Sequence, residues 1–508
     1  MLGLPLRTTL TYKLLTNLKT KKNIMKRINL LLLFVAVLAT AGAQTLNYTN
    51  GSENKKIKLP QVSNMHIVGQ QDGLLLGVTD KYTTFLKNHI KKEIMVVALD
   101  ENMNIVRSIE LPETKDSYTQ TATYFEGKVY LLTSRKEKTS TYYERTVVDA
   151  TTMQKVGETT TIYTYTSERK DQSFQWIEQS PNGTLSGLIH ITTSRKSDKF
   201  EAVQILLDEE MNIEWQRDYA IYSLSNMMVT DDGEIITIGY SGGKTGSVYI
   251  SVLNEANAFD FEEPTNLKIK DVRLAGYKDG KILGVGFGIN ASKDDAVQYF
   301  GIAADIKSQR VNIGYQTLTD QECNILANID LSKKSRGVYT DILFLKHCQP
   351  TEYGAVATIQ TRMIVETCNQ NGGCSIKSYS YGTLIFGIDN DGNVAWHHGI
   401  RKSMKQNGYP TLLTDAVCVE GSDVYLLQSE SPKWAPVYNV EKKAKTQKMN
   451  SGTKVLGVYH IDANGSIIKE VEKMKKAVVL NDNTKKVGNS HIGFLYSTSG
   501  ISMIKMKF

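Results

Sequence analysis

Short apolar runs and tight polar turns alternate along most of this chain, and convincing amphipathic helices are nearly absent. One turn sequence recurs almost identically at residues 99–105 and 207–213, and looser copies of it lie at 388–394 and 461–467. An Asp near the start of each copy supplies a side-chain hydrogen-bond acceptor, and an Asn or Gly near its end suits the positive φ of a hairpin. Each copy lies between two strand-like runs. The pattern therefore predicts repeated strand–turn–strand units.

A second tight turn, followed by a short apolar strand, precedes these Asp turns. Its eight copies begin at residues 72, 126, 182, 232, 279, 353, 421 and 489. Units roughly 58 residues apart, each with several short strands, are typical of a β-propeller with four-stranded blades. We therefore predict an all-β propeller that forms one domain over residues 44–508. The count predicts eight blades, with seven as the alternative.

The two ends of the chain predict how such a ring closes. The last strand-like run, residues 501–508, leaves no chain for a fourth strand in its blade. Residues 55–60 resemble residues 107–112, which form the predicted fourth strand of the first blade. We expect an N-terminal strand to complete the last blade, because that pairing covers two sheet edges at once.

The N-terminal region has the pattern of a secretory signal peptide at residues 25–43. A basic start at Met25, an apolar core and a small-residue site ending at Ala43 are its three parts. Residues 1–24 precede this better start and are interpreted as a non-native upstream extension. The hypothesis is export to the periplasm, the cell surface or the medium, with no transmembrane segment after cleavage. No Cys lies near the cleavage site, so a lipid anchor is not expected.

Removing this leader changes the charge balance. Seven of the 60 Lys and Arg lie in the first 43 residues, which leaves 53 basic residues against 53 acidic ones. The basic character of the full chain is therefore a property of the leader and gives no support to nucleic-acid binding. We expect the mature protein to be a monomer.

The cysteines all lie in the second half of the chain. Cys368 and Cys374 flank the turn-rich segment 369–373, so in an oxidising compartment we expect a disulfide between them, with free thiols as the alternative. A zinc site is disfavoured because the spacing is wrong and no His is close.

Two tryptophans carry a resemblance to a known family. Trp215 and Trp396 follow their Asp turns at matching offsets, and this pattern resembles the degenerate repeats of pyrroloquinoline-quinone-type propellers. In that family the Trp packs between neighbouring blades, so the resemblance implies a structural role. The family's vicinal Cys pair is absent, and no cofactor is predicted. As a whole the chain resembles the uncharacterised secreted β-propeller proteins of Gram-negative bacteria, a resemblance that implies no activity.

Sequence motifs for catalysis or metal binding are missing. We find no nucleophile elbow, zincin motif, P-loop or dinucleotide fingerprint. The segment Asp389–Asn393 looks like a calcium loop but lacks its bidentate Glu, and His397 and His398 point to opposite faces of a strand. We therefore predict no metal site. The absence of motifs favours a protein that is not an enzyme but leaves the question open, because propeller enzymes assemble their sites from several blades.

The connections between second and third strands are basic and contain aromatic residues. They are residues 80–93, 134–145, 193–200, 241–247, 288–298, 362–381 and 429–453, and together they hold 20 Lys and Arg against 10 acidic residues. A face of this charge attracts anions, and aromatic rings stack on sugars. The candidate ligand-binding residues are Tyr142, Tyr143, Tyr379, Tyr381, Trp434, Tyr438, Lys442 and Lys443. The alternative is that these loops are solvated, Lys-rich connections that pack on each other.

These observations favour an exported, non-catalytic binding or scaffolding propeller whose partner is an anionic glycan or an envelope protein. The second hypothesis is an extracytoplasmic carbohydrate-active enzyme with carboxylates in the central funnel. The third is a structural partner similar in shape to the propeller lipoprotein of the outer-membrane barrel-assembly machine, although this chain lacks the lipid-bearing Cys.

Overall fold

Alternating apolar and polar positions build nearly all of the regular structure as strands. The computed structural model describes residues 47–50 and 66–508, apart from 86–88, 101–103, 113–116, 167–172, 193–199, 244, 291–295, 330–339, 369–373, 408–414, 430–446, 449–452, 481–484, 488–489 and 497–500. Residues Tyr48–Lys507 belong to one structural unit. Among the described residues, no helix has both the length and the apolar character needed to cross a membrane.

The described strands form seven sheets, which we divide into eight blades numbered along the chain. Blades 1 to 6 are separate sheets, whereas blades 7 and 8 are the two halves of one eight-stranded sheet. The first strand, β1 (Asn47–Asn50), belongs to blade 8. Blade 1 contains β2 (His66–Gln71), β3 (Leu74–Phe85), β4 (His89–Leu99) and β5 (Ile105–Pro112). Blade 2 contains β6 (Ser117–Phe125), β7 (Lys128–Glu137), β8 (Ser140–Asp149) and β9 (Gln154–Thr166). Blade 3 contains β10 (Ser173–Gln179), β11 (Ser186–Thr192), β12 (Glu201–Leu207) and β13 (Ile213–Asp218). Blade 4 contains β14 (Asn226–Val229), β15 (Ile235–Tyr240), β16 (Ser247–Leu253) and β17 (Ala258–Pro264).

The second half of the chain repeats this order with additions. Blade 5 contains β18 (Lys268–Lys278), β19 (Lys281–Asn290), β20 (Ala296–Asp305) and β21 (Arg310–Thr317), and is followed by helix α1 (Asp320–Leu326) and a 3-10 turn (Thr340–Ile342). Blade 6 contains β22 (Leu343–Thr351), β23 (Gly354–Thr361), β24 (Met363–Cys368), β25 (Cys374–Asp389) and β26 (Val394–Asn407). Blade 7 contains β27 (Ala416–Glu420), β28 (Asp423–Ser429), β30 (Thr453–Ile461) and β31 (Ile467–Leu480), while β29 (Gln447–Lys448) pairs with β26. Blade 8 contains the end of β31, β32 (Lys485–Val487), β33 (Ser490–Tyr496), β34 (Ile501–Lys507) and β1.

The first strands of successive blades lie beside one another. The series runs from β2 through β6, β10, β14, β18 and β22 to β27. Amide side chains connect some of these strands: Gln179 Nε2 donates to the Ala122 carbonyl at 2.7 Å, and Gln349 Nε2 donates to the Val417 carbonyl at 3.3 Å. Sheets that share an inner side in this way have the arrangement of a β-propeller, and eight blades agree with the predicted number.

The repeated Asp turns form the predicted hairpin connections. In all four copies Oδ1 of the Asp accepts the backbone N–H four residues later, at 2.7–2.8 Å. In each copy the Asp N–H also donates to that later residue's carbonyl, at 2.9–3.0 Å. These turns join the last two strands of blades 1, 3, 6 and 7. Local hydrogen bonds therefore set the same connection in four separate blades.

The hydrophobic core lies between neighbouring blades. Blades 2 and 3, for example, share a cluster that includes Leu132, Tyr143, Leu188 and Leu207. Both predicted tryptophans contribute to such contacts. Trp215 of blade 3 donates from Nε1 to the Gly233 carbonyl of blade 4 at 3.3 Å, and Trp396 of blade 6 packs in a cluster with residues of blade 7.

The chain ends and the cysteines also have defined places. Residues 55–60, the predicted partner of the last strand, lie outside the described residues, and the sheet order places β1 next to β34. Cys368 and Cys374 form a disulfide between β24 and β25. The other three cysteines form no disulfide, and two of them are buried.

Candidate functional site

A pocket of about 290 Å³ lies between blades 2 and 3, at the end of the blades where second strands turn into third strands. Its lining includes Tyr118, Ser134, Lys136, Phe174, Gln175 and His190. We call it the interblade pocket. It occupies the face that the sequence predicted to be basic and aromatic.

Strand geometry decides which side chains reach this pocket. Residues 134–145, predicted to be a loop, are mostly strand, because β7 and β8 are joined by a tight turn at Lys138, whose φ is +51°. Adjacent residues of β8 therefore face opposite sides. Tyr142 is half-buried, with the Arg135 guanidinium 4.5 Å from its ring centre, whereas Tyr143 is fully buried. Tyr143 is a predicted ligand-binding residue, but strand alternation directs its side chain into the core between the two blades rather than to the surface.

Buried Tyr143 organises a polar network behind the pocket. Its hydroxyl lies 2.8 Å from Gln175 Oε1 and 2.7 Å from His190 Nδ1. Gln175 Nε2 donates to Ser134 Oγ at 2.8 Å. The Tyr165 ring stacks on the imidazole of His190 with ring centres 3.7 Å apart. These contacts hold His190 in one orientation.

The same hydrogen bonds assign the protons of this network. Because Gln175 Oε1 can only accept, Tyr143 donates its proton to that atom. His190 Nδ1 then carries a hydrogen and donates it to the Tyr143 oxygen. His190 Nε2 is left as a bare acceptor, and it is buried with no hydrogen-bond partner among the described residues. A buried acceptor without a partner costs free energy that a ligand hydroxyl would recover.

The charge state of His190 supports this assignment. Burial, together with the nearby Lys136 ammonium, lowers the pKa of His190 to about 4, and the side chain is only 2% exposed. Burial also raises the pKa of the Tyr143 hydroxyl above its usual value. At neutral pH both groups are therefore uncharged, and His190 adds a buried acceptor beside the pocket rather than a second cation.

The rim of the pocket is aromatic and cationic. Tyr118 is 56% exposed and Phe174 is 42% exposed. Arg135 forms ion pairs with Glu137 and Glu144, so its charge is already compensated. Lys136 forms no ion pair with any residue that the structure describes. The rim therefore carries two exposed rings and an ammonium group that no described residue pairs with.

The other predicted ligand-binding residues do not join this pocket. Tyr379 and Tyr381 lie on β25 of blade 6 with ring centres 6.0 Å apart. Trp434, Tyr438, Lys442 and Lys443 lie outside the described residues. The described part of the basic face thus brings together only part of the predicted set.

The described residues do not offer a built metal site. Glu366, Cys368 and Cys374 come within metal-binding distance of one another, but both sulfur atoms are used in the disulfide. In the calcium-like turn, Asp389 Oδ1 accepts hydrogen bonds from the N–H groups of Asp391 and Asn393. Its carboxylate is thus already used to hold the turn.

Sequence reasoning missed His190, Gln175, Phe174 and Tyr118. One signal was present, because His190 is a single titratable residue in the apolar strand Ser186–Thr192. A polar group in a strand buried on both faces needs a partner or a function. The partners themselves are distant in sequence, so their convergence was not readable.

Comparison with known proteins gives fold-level likeness only. No protein-family profile and no curated protein sequence matches the chain. Among solved structures, the WD40 domain of SCAP from fission yeast is 9% identical, with a TM-score of 0.38, over 91% of this chain and 98% of that one. The β-propeller domain of the Trilobed protease from Pyrococcus furiosus is 11% identical, with a TM-score of 0.33, over 81% and 95%. The polysaccharide lyase Uly1 is 10% identical, with a TM-score of 0.32, over 84% and 94%. These likenesses are too distant to bear on function, and the fold assignment rests on the sheet order.

Proposed function

We propose that this protein is an exported, non-catalytic binding propeller that holds an acidic sugar unit of an anionic glycan in the interblade pocket. The observation that carries the proposal is the buried, unpartnered Nε2 acceptor of His190. A ligand that satisfies this atom must present a hydrogen-bond donor, and sugar hydroxyl groups do so.

The rest of the pocket suits the same ligand class. Tyr118 and Phe174 give faces on which a sugar ring can stack. Lys136 supplies a positive charge for a carboxylate or sulfate group. A cavity of about 290 Å³ has room for a single sugar ring, so a polymer would place one unit in the pocket and run across the face.

Other parts of the proposal rest on the chain ends and the repeats. The signal-peptide pattern at residues 25–43 supports export. The position of β1 beside β34 supports closure of the ring by the two ends of the chain. The interblade contacts of Trp215 and Trp396 support the likeness to pyrroloquinoline-quinone-type repeats.

Binding of alginate, a polymer of uronic acids, tests this function against pullulan, a neutral polymer. By titration calorimetry at low salt, the mature protein should bind alginate and not pullulan. Lys136→Gln and Phe174→Ala should each weaken binding at least fivefold. Two matched controls, Lys307→Gln and Phe344→Ala, change an exposed Lys and a 39% exposed Phe elsewhere and should leave affinity unchanged.

The role of His190 is tested separately. His190→Gln should weaken alginate binding while the melting temperature shows that the protein remains folded. If the two pocket variants and the two control variants weaken alginate binding equally, alginate binds the surface nonspecifically. Absence of alginate binding, or equal binding of pullulan, would contradict the proposed ligand class.

A carbohydrate-active enzyme is the second candidate, because two carboxyl groups on the inner strands have pKa values raised by burial, Glu178 and Asp271. Asp271, however, already accepts from Ser225 Oγ at 3.2 Å and lies 3.5 Å from Arg273 Nε. A glycosidase needs two available carboxyl groups. Release of reducing ends from alginate, abolished by Glu178→Gln, would establish the enzyme.

A further inference from the structure

A second cavity, of about 310 Å³, lies among the inner strands of blades 3 to 6. Its lining includes Glu178 of β10, Asn226 and Met228 of β14, Arg273 of β18 and Cys348 of β22. In a propeller the inner strands surround the central channel, so this cavity is a channel site distinct from the interblade pocket. We call it the channel cavity.

Two opposite charges line the channel cavity without pairing with each other. Glu178 lies on blade 3 and Arg273 on blade 5, with the inner strand of blade 4 between them. One carboxylate oxygen of Glu178 accepts from Trp176 Nε1 at 3.1 Å, and the other oxygen has no hydrogen-bond partner among the described residues. A half-buried carboxylate without a cationic partner is costly, so the site favours a ligand cation.

Arg273 retains donors for a ligand of the opposite charge. Its Nε lies 3.5 Å from Asp271 Oδ2, which is a loose pairing, and its side chain is 39% exposed. A guanidinium has five N–H donors, so its two terminal nitrogens remain available for a carboxylate. Asp271 also accepts a hydrogen bond from Ser225 Oγ, so Arg273 is not the only group that stabilises its carboxylate.

The surface between the two charges is neutral and largely apolar. Asn226 Oδ1 accepts the Leu274 N–H at 3.0 Å, so its NH₂ group is left to donate. Met228 and Cys348 add sulfur and methylene surface. Burial raises the pKa of Cys348 to about 12, so the thiol stays neutral. A cation site and an anion site are thus joined by an apolar surface with one amide donor.

We infer that the channel cavity binds a small zwitterion, an amino acid or a short peptide, with its ammonium group on Glu178 and its carboxylate on Arg273. The two ends of such a ligand carry charges opposite to those of Glu178 and Arg273, and an apolar side chain of the ligand would contact Met228. The NH₂ group of Asn226 donates to the carboxylate or to a peptide carbonyl. This site is independent of the interblade pocket and requires no glycan.

The test uses glycyl-leucine and its two capped forms in titration calorimetry with the mature protein. Wild-type protein should bind glycyl-leucine, and N-acetylation or C-amidation of the peptide should each weaken binding at least tenfold. Free leucine and glycyl-glycyl-leucine measure the ligand length that the cavity accepts. Alginate should not compete, since it occupies another site.

Two variants assign the two ends of the ligand. Glu178→Gln should remove the difference between glycyl-leucine and its N-acetyl form, and Arg273→Gln should remove the difference between the acid and the amide. Glu214→Gln and Arg310→Gln make the same charge changes at exposed positions on outer strands and should preserve both differences. The capped ligands test the inference on wild-type protein even where a variant fails to fold. Absence of binding by leucine and both peptides, or equal binding of capped and free glycyl-leucine, would overturn it.

Discussion

A buried ion pair between blades 6 and 7 should contribute far more to stability than an exposed pair that also joins two blades. Lys402 lies on β26 and Asp415 immediately precedes β27, and their side chains are 2% and 0% exposed. Asp415 also accepts from Thr383 Oγ1 and, at 3.3 Å, from Gln360 Nε2. Lys402→Met keeps most of the side-chain volume but leaves the Asp415 carboxylate buried without a cation.

Removal of one partner of a buried pair costs about 3–5 kcal/mol, because the remaining charge is neither solvated nor compensated. The matched control is Lys281→Met. Lys281 of blade 5 pairs with Asp391 of blade 6 at 3.1 Å, but the side chains are 42% and 74% exposed. Loss of such an exposed pair costs about 0–1 kcal/mol. We therefore expect the two variants to differ by about 2–5 kcal/mol.

Urea unfolding followed by tryptophan fluorescence measures both free energies. The double variant Lys402→Met/Asp415→Asn removes the buried charge as well and should recover part of the loss, which shows that the cost is electrostatic. If Lys402→Met and Lys281→Met destabilise the protein by amounts within 1 kcal/mol of each other, the reasoning about burial is refuted.

Three further predictions concern His190 and the N-terminal region. The pKa of His190 is about 4 in the folded protein and 6.5 when unperturbed, so the unfolded chain binds the proton more tightly. The free energy of unfolding should therefore fall by about 3 kcal/mol as the pH drops from 6.5 to 4. Urea midpoints across this range should show a shallower slope for His190→Gln, and parallel slopes would contradict the prediction. Deletion of residues 44–50 removes β1 and should lower the melting temperature relative to a chain that begins at Gln44, because the edge of β34 is uncovered; identical melts would place closure elsewhere. Exported protein should begin at Gln44, and an N-terminus before residue 40 would contradict the predicted cleavage site.

The blades could be predicted from the sequence because their turns are made by local hydrogen bonds. Asp208, for example, contacts Asn212, only four residues away, and the same spacing recurs at Asp389. The tight turns that follow first strands are also local, since Asp72 and Gly73 both adopt the positive φ of their turn. Such local interactions require the same residue pattern in every copy, so the repeat and the number of its copies can be predicted from the sequence.

The interblade pocket could not be predicted from the sequence, because the residues that contact each other in it are distant in sequence. Tyr143 is buried by Gln175 and His190, which are 32 and 47 residues away on another blade. The turn at Lys138 contains no Gly, so the charged segment around it looked like a loop rather than the end of two strands. Helix α1 is the opposite case, because its capping box of Thr319 and Glu322 is a local signal that a closer reading would have found.

The Asp turn itself shows where local control ends. The residue three positions after the Asp has positive φ in three described copies, namely Met211 at 62°, Gly392 at 81° and Gly465 at 78°. A non-Gly residue in this conformation destabilises the fold by about 1–2 kcal/mol. Burial of a Met side chain stabilises it by about 1.5–3 kcal/mol, and Met211 is fully buried between blades 2 and 3. At Gly392 a Cβ would come within 2.7 Å of the Ala303 nitrogen of blade 5, so the neighbouring blade excludes a side chain. The same backbone turn thus requires a large side chain at Met211 and none at Gly392, because the adjacent blade differs. The interblade pocket also forms where neighbouring blades contact each other.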